Sequence, residues 1–362
     1  MKATLRSPVE LTEVSVLAEV AIWEPRPELQ RLVREGEKQG QVGQEVVDAA
    51  LPGLSPSAAR NLLRTLEYLR LIDGKGAITP FGKRCVATGE APAWELGVFT
   101  FLVARHPSFQ VWPIGIRREQ SDRQDRDFAN LDQVPTWFTP NPSRLWISAF
   151  DDKTKFTISA FPAPAGQSPA VRMRELAPVT LVWSADLSSG KNQLHVEGTV
   201  ENSGPFRTTD QKITETEVAA FYSQWESRWN SADARLLMAF DGNISAGGAD
   251  DFVRTLKYKR VKTEKRGLFD SVSVDGVPVG PESGEQARVW ASAMASARLT
   301  ADDAYRTSTA WRSAWDQMVL GTPLEGQAGP APQPLDFVKQ SPPMPPRTRW
   351  LLAAPTDLSM EK

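Results

Sequence analysis

Two basic runs hold the side chains best suited to chemistry. In the first, LSPSAARNLLRTLEYLRLIDGKGAITPFGKRCVATGE (residues 54–90), Arg60, Asn61 and Arg64 fall within little more than one helical turn. An arginine fork grips a guanine edge or a phosphate with two parallel hydrogen bonds, and an asparagine amide matches adenine. At 100° per residue Ser57 and Tyr68 join them on one face, while Ala59, Leu62, Leu63, Leu66 and Leu69 gather on the other. Six basic residues (Arg60, Arg64, Arg70, Lys75, Lys83, Arg84) stand against three acids (Glu67, Asp73, Glu90). The second run is RTLKYKRVKTEKR (254–266), with Arg254, Lys257, Lys259, Arg260, Lys262, Lys265 and Arg266 against the single acid Glu264. Tyr258 inside it is placed as an aromatic that stacks on a base would be. The plain alternatives are a protein-binding face for the first run and a solvated, aggregation-resistant strand edge for the second.

Acid–base and metal chemistry find less support. His195 and Glu197, two apart in a strand-like stretch, face one side and form a possible acid–base pair, but no nucleophile accompanies them. Glu201 followed by Asp210-Gln211-Lys212 matches only the last three residues of a nuclease-type carboxylate–lysine element. Asp302-Asp303 after Thr300 is better read as helix capping. A lone cysteine, Cys85, excludes an intrachain disulfide and reads as a buried thiol. There is no P-loop or nucleophile elbow, and Gly247-Gly248 lacks the lysine of a phosphate loop, so no cofactor and no metal are expected.

Ser55-Pro56 is an N-cap with proline at the first helical position, opening a helix to about Leu71. Ile72–Ile78 reads as a minimal strand–turn–strand, and Thr79-Pro80 opens another helix. Residues 26–40 and 43–51 supply two shorter helices, the second stopped by Leu51-Pro52-Gly53. The run LEYLRLIDGKGAITPFGKR resembles the corresponding stretch of the winged helix-turn-helix family. The resemblance covers residues 41–90 and implies a nucleic-acid-binding fold, with residues 55–71 as its recognition helix.

Beyond residue 90, Gly97–Val103 and Val111–Ile116 read as a strand pair, and 117–127 as a solvated loop. Residues 144–205 alternate as an antiparallel β unit (RLWISAF, KFTISAF, VTLVWSA, QLHVEGTV). Helices are expected at 213–229, 284–299 and 301–319, and strands at RLLMAF and GLFDSVSVDGVPV. Residues 321–349 should be extended, with Trp350-Leu351-Leu352 docking back as a strand.

The expected architecture is α+β, an N-terminal winged helix followed by a β-rich middle region and an α/β C-terminal region. The divisions fall at 1–40, 41–90, 91–212, 213–320 and 321–362. Hydrophobic residues at 41%, charged residues at 24% and a net charge of −2 describe a soluble chain without a global field for nucleic acid. Glu10, Glu13 and Glu19 interrupt the N-terminus, and no long apolar run exists, so a cytoplasmic protein without a membrane partner is expected. The leading functional expectation is non-enzymatic DNA binding through Ser57, Arg60, Asn61, Arg64, Tyr68 and Lys75, extended by Arg254, Lys257, Tyr258, Lys259, Arg260 and Lys262. Two alternatives stay open. One is an adaptor subunit holding protein partners, in a layout that resembles winged-helix accessory proteins of phage-defence systems with helicase or nuclease partners. The other is a divergent metal-dependent nuclease.

Overall fold

A computed structural model of the chain describes residues 1–119, 132–151, 154–163, 169–187, 189–201, 203–213, 225, 228–244, 249–263, 266–298, 308–340, 346–347 and 349–350. It is mixed α+β and begins with one strand, β1 (Lys2–Pro25), of 24 residues. Ala3, Leu5, Val9 and Leu11 are buried on one phase of its alternation; from Thr12 to Val20 the even positions are buried instead. The flip follows an irregularity in the β1–β7 register between Val9 and Leu11, and a second one against β6 at Glu19/Val20 precedes the return to odd positions at Ala21 and Trp23.

Four helices follow: α1 (Pro27–Gln39), α2 (Gln44–Ala50), α3 (Pro56–Tyr68) and α4 (Pro80–Thr88). The chain then returns as β2 (Glu90–His106), paired antiparallel to β1 from Glu10↔Arg105 to Pro25↔Glu90. The helical unit is therefore a head carried at the end of the long β1–β2 ribbon, closed at its base by Arg26 N donating to Gly89 O at 2.8 Å. This corrects the expected N-terminal placement: a strand precedes the helices and makes them an insertion.

The next strands are β3 (Gln110–Arg118), β4 (Asp132–Gln133), β5 (Trp146–Ile147), β6 (Lys155–Ala160), β7 (Ala170–Asp186), β8 (Lys191–Val200), β9 (Gly204–Arg207) and β10 (Gln211–Ile213). After β11 (Trp229–Asn230) and β12 (Arg235–Met238) come β13 (Val253–Thr263) and β14 (Gly267–Pro281). The C-terminal helices are α5 (Gly284–Arg298), α6 (Ser308–Val319) and α7 (Pro334–Gln340). β1 is flanked on one edge by β14 and then β2, and on the other by β7 and then β6. Its first half is central to β13-β14-β1-β7-β8-β10, its second half to β3-β2-β1-β6-β5. Ala149 N donating to Ile114 O brings the end of the second group beside β3. Strands from the expected N-terminal, middle and C-terminal divisions thus build a common core, in which Leu5, Trp183, Phe269, Phe101 and Phe156 are fully buried.

The expected strand pair at 97–116 is present as β2–β3, and the alternating segments after 144 include β5 to β8. The expected extended tail contains α7 instead. Pro334 sits at its first helical position, and Phe337 buries its ring 5.1 Å from that of Trp311. Trp350 is helical and 64% exposed, so it does not dock as a strand; Leu351 and Leu352 lie outside the described residues. Most of the expected 213–229 helix, most of the 117–127 loop, the start of the 301–319 helix and Gly247-Gly248 also lie outside them. No described helix is long and apolar enough to cross a membrane.

Candidate nucleic-acid interface

The head has its own small core of Leu29, Val33, Val42, Val46, Leu66, Leu71, Ile72 and Cys85. Burial pushes the Cys85 thiol up to about 11, with Glu28 adding to the shift, so this is a neutral packing group. Helix α3 begins where Ser55 Oγ accepts from Ala58 N at 3.3 Å and Pro56 takes the first turn. Ala59 and Leu66 are buried against the head, which turns Ser57, Arg60, Asn61, Arg64 and Tyr68 outward; all five are exposed, Tyr68 by 69%. Arg60 Nε donates within its own helix, to Pro56 O at 3.2 Å. Among the described residues no carboxylate pairs with Arg60 or Arg64.

The expected strand–turn–strand reduces to one bridge, Ile72↔Ile78. Its turn is organised by Asp73, whose carboxylate accepts from Lys75 N and Ala77 N, both at 2.9 Å. Those two backbone donors, Ala77 first, hold Asp73 below the usual carboxylate range. Lys75 stands exposed at the tip.

Two of the six basic residues in this run face inward to the body. Arg70, in the left-handed region at φ 58°, donates to Glu19 at 2.6 Å and to Ser159 at 3.2 Å, and lies 4.1 Å from the Trp94 ring centre. Arg84 lies over Trp23 and donates to Ser143 O at 2.8 Å. Phe81 packs between Trp23 and Trp94. The head is consequently fastened to the ribbon, with its α3 face left open.

The second basic run divides along β13. Arg254 is tied down: Nε and Nη2 donate to the two Asp241 oxygens at 2.7 and 3.0 Å, and other donors reach Asp251 O and Asn243 O. Burial raises Asp241, yet the hydrogen bonds from Arg254 and Asn243 outweigh it and bring the carboxyl down to about 2. Tyr258 is half-buried, accepts from the Trp225 indole and is no open stacking platform. Arg266 is 7% exposed and lies over Trp183. Only Lys257, Lys259, Arg260 and Lys262 are exposed; Lys265 lies outside the described residues.

The remaining candidates lie against polar or charged neighbours. His195 sits between Glu197 and Asp210, 3.3 Å from each, and Asp210 also binds Arg207 at 3.0 Å. Glu201 faces Arg174 at 3.4 Å. The described residues contain no group of three His, Cys, Asp or Glu able to hold a metal ion. A recess of about 200 Å³ between β1, β2, β3 and β7 contains Glu13, Arg117, Arg174 and Glu201, whose charges pair with neighbouring ones.

One pairing was not legible in sequence, because its members lie 99 residues apart. Ser7 Oγ is 3.1 Å from His106 Nε2, both nearly fully buried. It has the look of a nucleophile and base, but the proton count excludes that. Ser108 N donates to His106 Nδ1, so a neutral ring carries its proton on Nε2 and donates to Ser7. The Ser7 hydroxyl in turn donates to Leu268 O at 2.8 Å. No lone pair is left to accept a proton from serine.

Comparison with known protein families, characterised proteins and solved structures finds no match for this chain.

Proposed function

We propose that α1–α4 form a winged helix-turn-helix and that the protein binds duplex DNA without chemistry, laying α3 against the major groove. The observation that carries this reading is the open face of α3, where Arg60, Asn61 and Arg64 stand exposed without a carboxylate partner among the described residues. The wing is too short to reach far: with a single Ile72↔Ile78 bridge, it contributes one cation, Lys75. Arg64 and Asn61 are the groups assigned to base edges, and Arg60, Lys75 and Ser57 to flanking phosphates.

The test is duplex binding over a salt series. Replacing Arg60 and Arg64 with alanine should weaken binding at least tenfold and flatten the dependence of log affinity on log salt, by about 0.9 for each phosphate contact removed. Unchanged affinity in the double variant sinks the α3 assignment. A protein-adaptor role is the second reading, favoured by Tyr68, a large ring 69% exposed at the same helix face. It gives no salt-dependent DNA binding and a partner complex lost on Tyr68→Ala.

A further inference from the structure

We infer that β13 is a second phosphate-contacting surface, remote from α3, so that one long duplex is held at both ends of β1. This rests on the DNA-binding reading and adds a property of its own, a minimum ligand length.

The first support is charge without compensation. Lys257, Lys259, Arg260 and Lys262 are exposed, and no carboxylate lies within ion-pair distance of them among the described residues. The cross-strand neighbours of the three lysines on β14 are not acids: Lys257 faces Ser273, Lys259 faces Ser271 and Lys262 faces Leu268, whereas Arg260 falls at the level of Asp270. Elsewhere the sheet pairs its arginines, as in Arg6–Glu197, Arg105–Glu10, Arg118–Glu95 and Arg207–Asp210. An opposite charge across the ladder is the stabilising choice for a surface lysine, and β13 forgoes it at three positions.

The second support is geometry. Among the described residues β13 pairs with β14 alone, so its other edge is open. The left-handed backbone of Arg260, φ 58°, already breaks the regularity of that edge. Successive residues on one strand face are about 6.7 Å apart, which equals two base-pair steps of 3.4 Å. Lys257 and Lys259 therefore match the axial spacing of phosphates on a duplex lying along the strand.

The third is distance. Lys257 is opposite Ser273, and Ser273 is opposite Thr4 of β1, whereas the head begins after Pro25. At about 3.3 Å per residue the two surfaces are up to about 70 Å apart along β1, the length of about 20 base pairs. A short duplex reaches one of them; a longer one reaches both.

The experiment compares full-length protein on 14- and 32-base-pair duplexes, in wild type, Lys257→Ala/Lys259→Ala/Lys262→Ala and Arg60→Ala/Arg64→Ala forms. Wild type should bind the long duplex at least tenfold more tightly than the short one, with a salt slope steeper by about 2–3, at about 0.9 per contact. The triple lysine variant should keep its short-duplex affinity and lose that excess. The triple variant is its own control for the larger number of registers on a longer duplex, which it shares with wild type. If the lysines only protect the strand edge, the triple variant self-associates but keeps the full length advantage, and the inference is overturned. In the triple lysine variant short-duplex binding reports α3 alone, so its loss there counts against the α3 reading and not against β13.

Discussion

His106 takes its behaviour from where β2 turns back, beside the turn that joins β13 to β14. Burial pulls its ring down to about 4, against an ordinary value near 6.5. Unfolded chains take up a proton on this ring as pH falls below about 6.5, whereas folded ones resist until about 4. Its contribution to stability is therefore complete above 6.5, declines as pH falls from 6.5 to 4, and changes no further below that. Urea unfolding across this window should show a slope that His106→Gln reduces, because glutamine still donates toward Ser7 without titrating. A slope unaltered by that change would place the acid sensitivity elsewhere. Arg254 makes the same point about location: the sequence gives it the same charge as Arg260, yet a carboxylate 2.7 Å away removes it from any external role.

At the scale of elements, the head is a compact set of local contacts, and its tolerance for change is set by close backbone approaches. Gly82 is the tightest. A Cβ there would lie 2.2 Å from Leu71 O and 2.7 Å from an Ile78 methyl, so α4 passes directly over the 71–78 turn only because residue 82 has no side chain. Gly82→Ala should destabilise the head by about 2–4 kcal/mol, the range of severe core overpacking. Hydrogen exchange would register this as lost protection in α1, α3 and α4 with β7 and β8 unaffected. Equal loss across the sheet would mean that head and sheet unfold together. The sequence shows this element well, since Ser55 and Thr79 cap helices followed by proline and the apolar stripe repeats at helical spacing. The expected strand pair at 72–78 is a single bridge, because two glycines allow a reversal but do not supply enough residues for a ladder.

At the scale of the whole molecule, the joint between head and ribbon decides whether α3 presents a fixed face. Arg70 carries that joint through Glu19, Ser159 and the Trp94 ring. Its side chain is partly exposed, so Arg70→Ala should cost only about 1–2 kcal/mol of docking. The expected signature is faster hydrogen exchange around Glu90–Trp94 with the helices of the head still protected. Unchanged exchange there would show that Trp23, Phe81 and Trp94 hold the joint without it.

What the sequence determined alone was the local part: the helices of residues 27–88, their caps, the exposed α3 face and the alternation of several strands. These depend on neighbours within a few positions, and periodicity reports them faithfully. Tertiary structure decided the rest. β1 pairs with strand positions about 65 to 270 residues away, and its buried phase reverses beside a register irregularity, which blurs the alternation that would reveal a strand. Tertiary structure alone also sorted the basic residues into those spent on internal partners (Arg70, Arg84, Arg254, buried Arg266) and those left facing solvent (Arg60, Arg64, Lys257, Lys259). Charge is written in the sequence; whether it is neutralised depends on what the fold brings within a few ångströms.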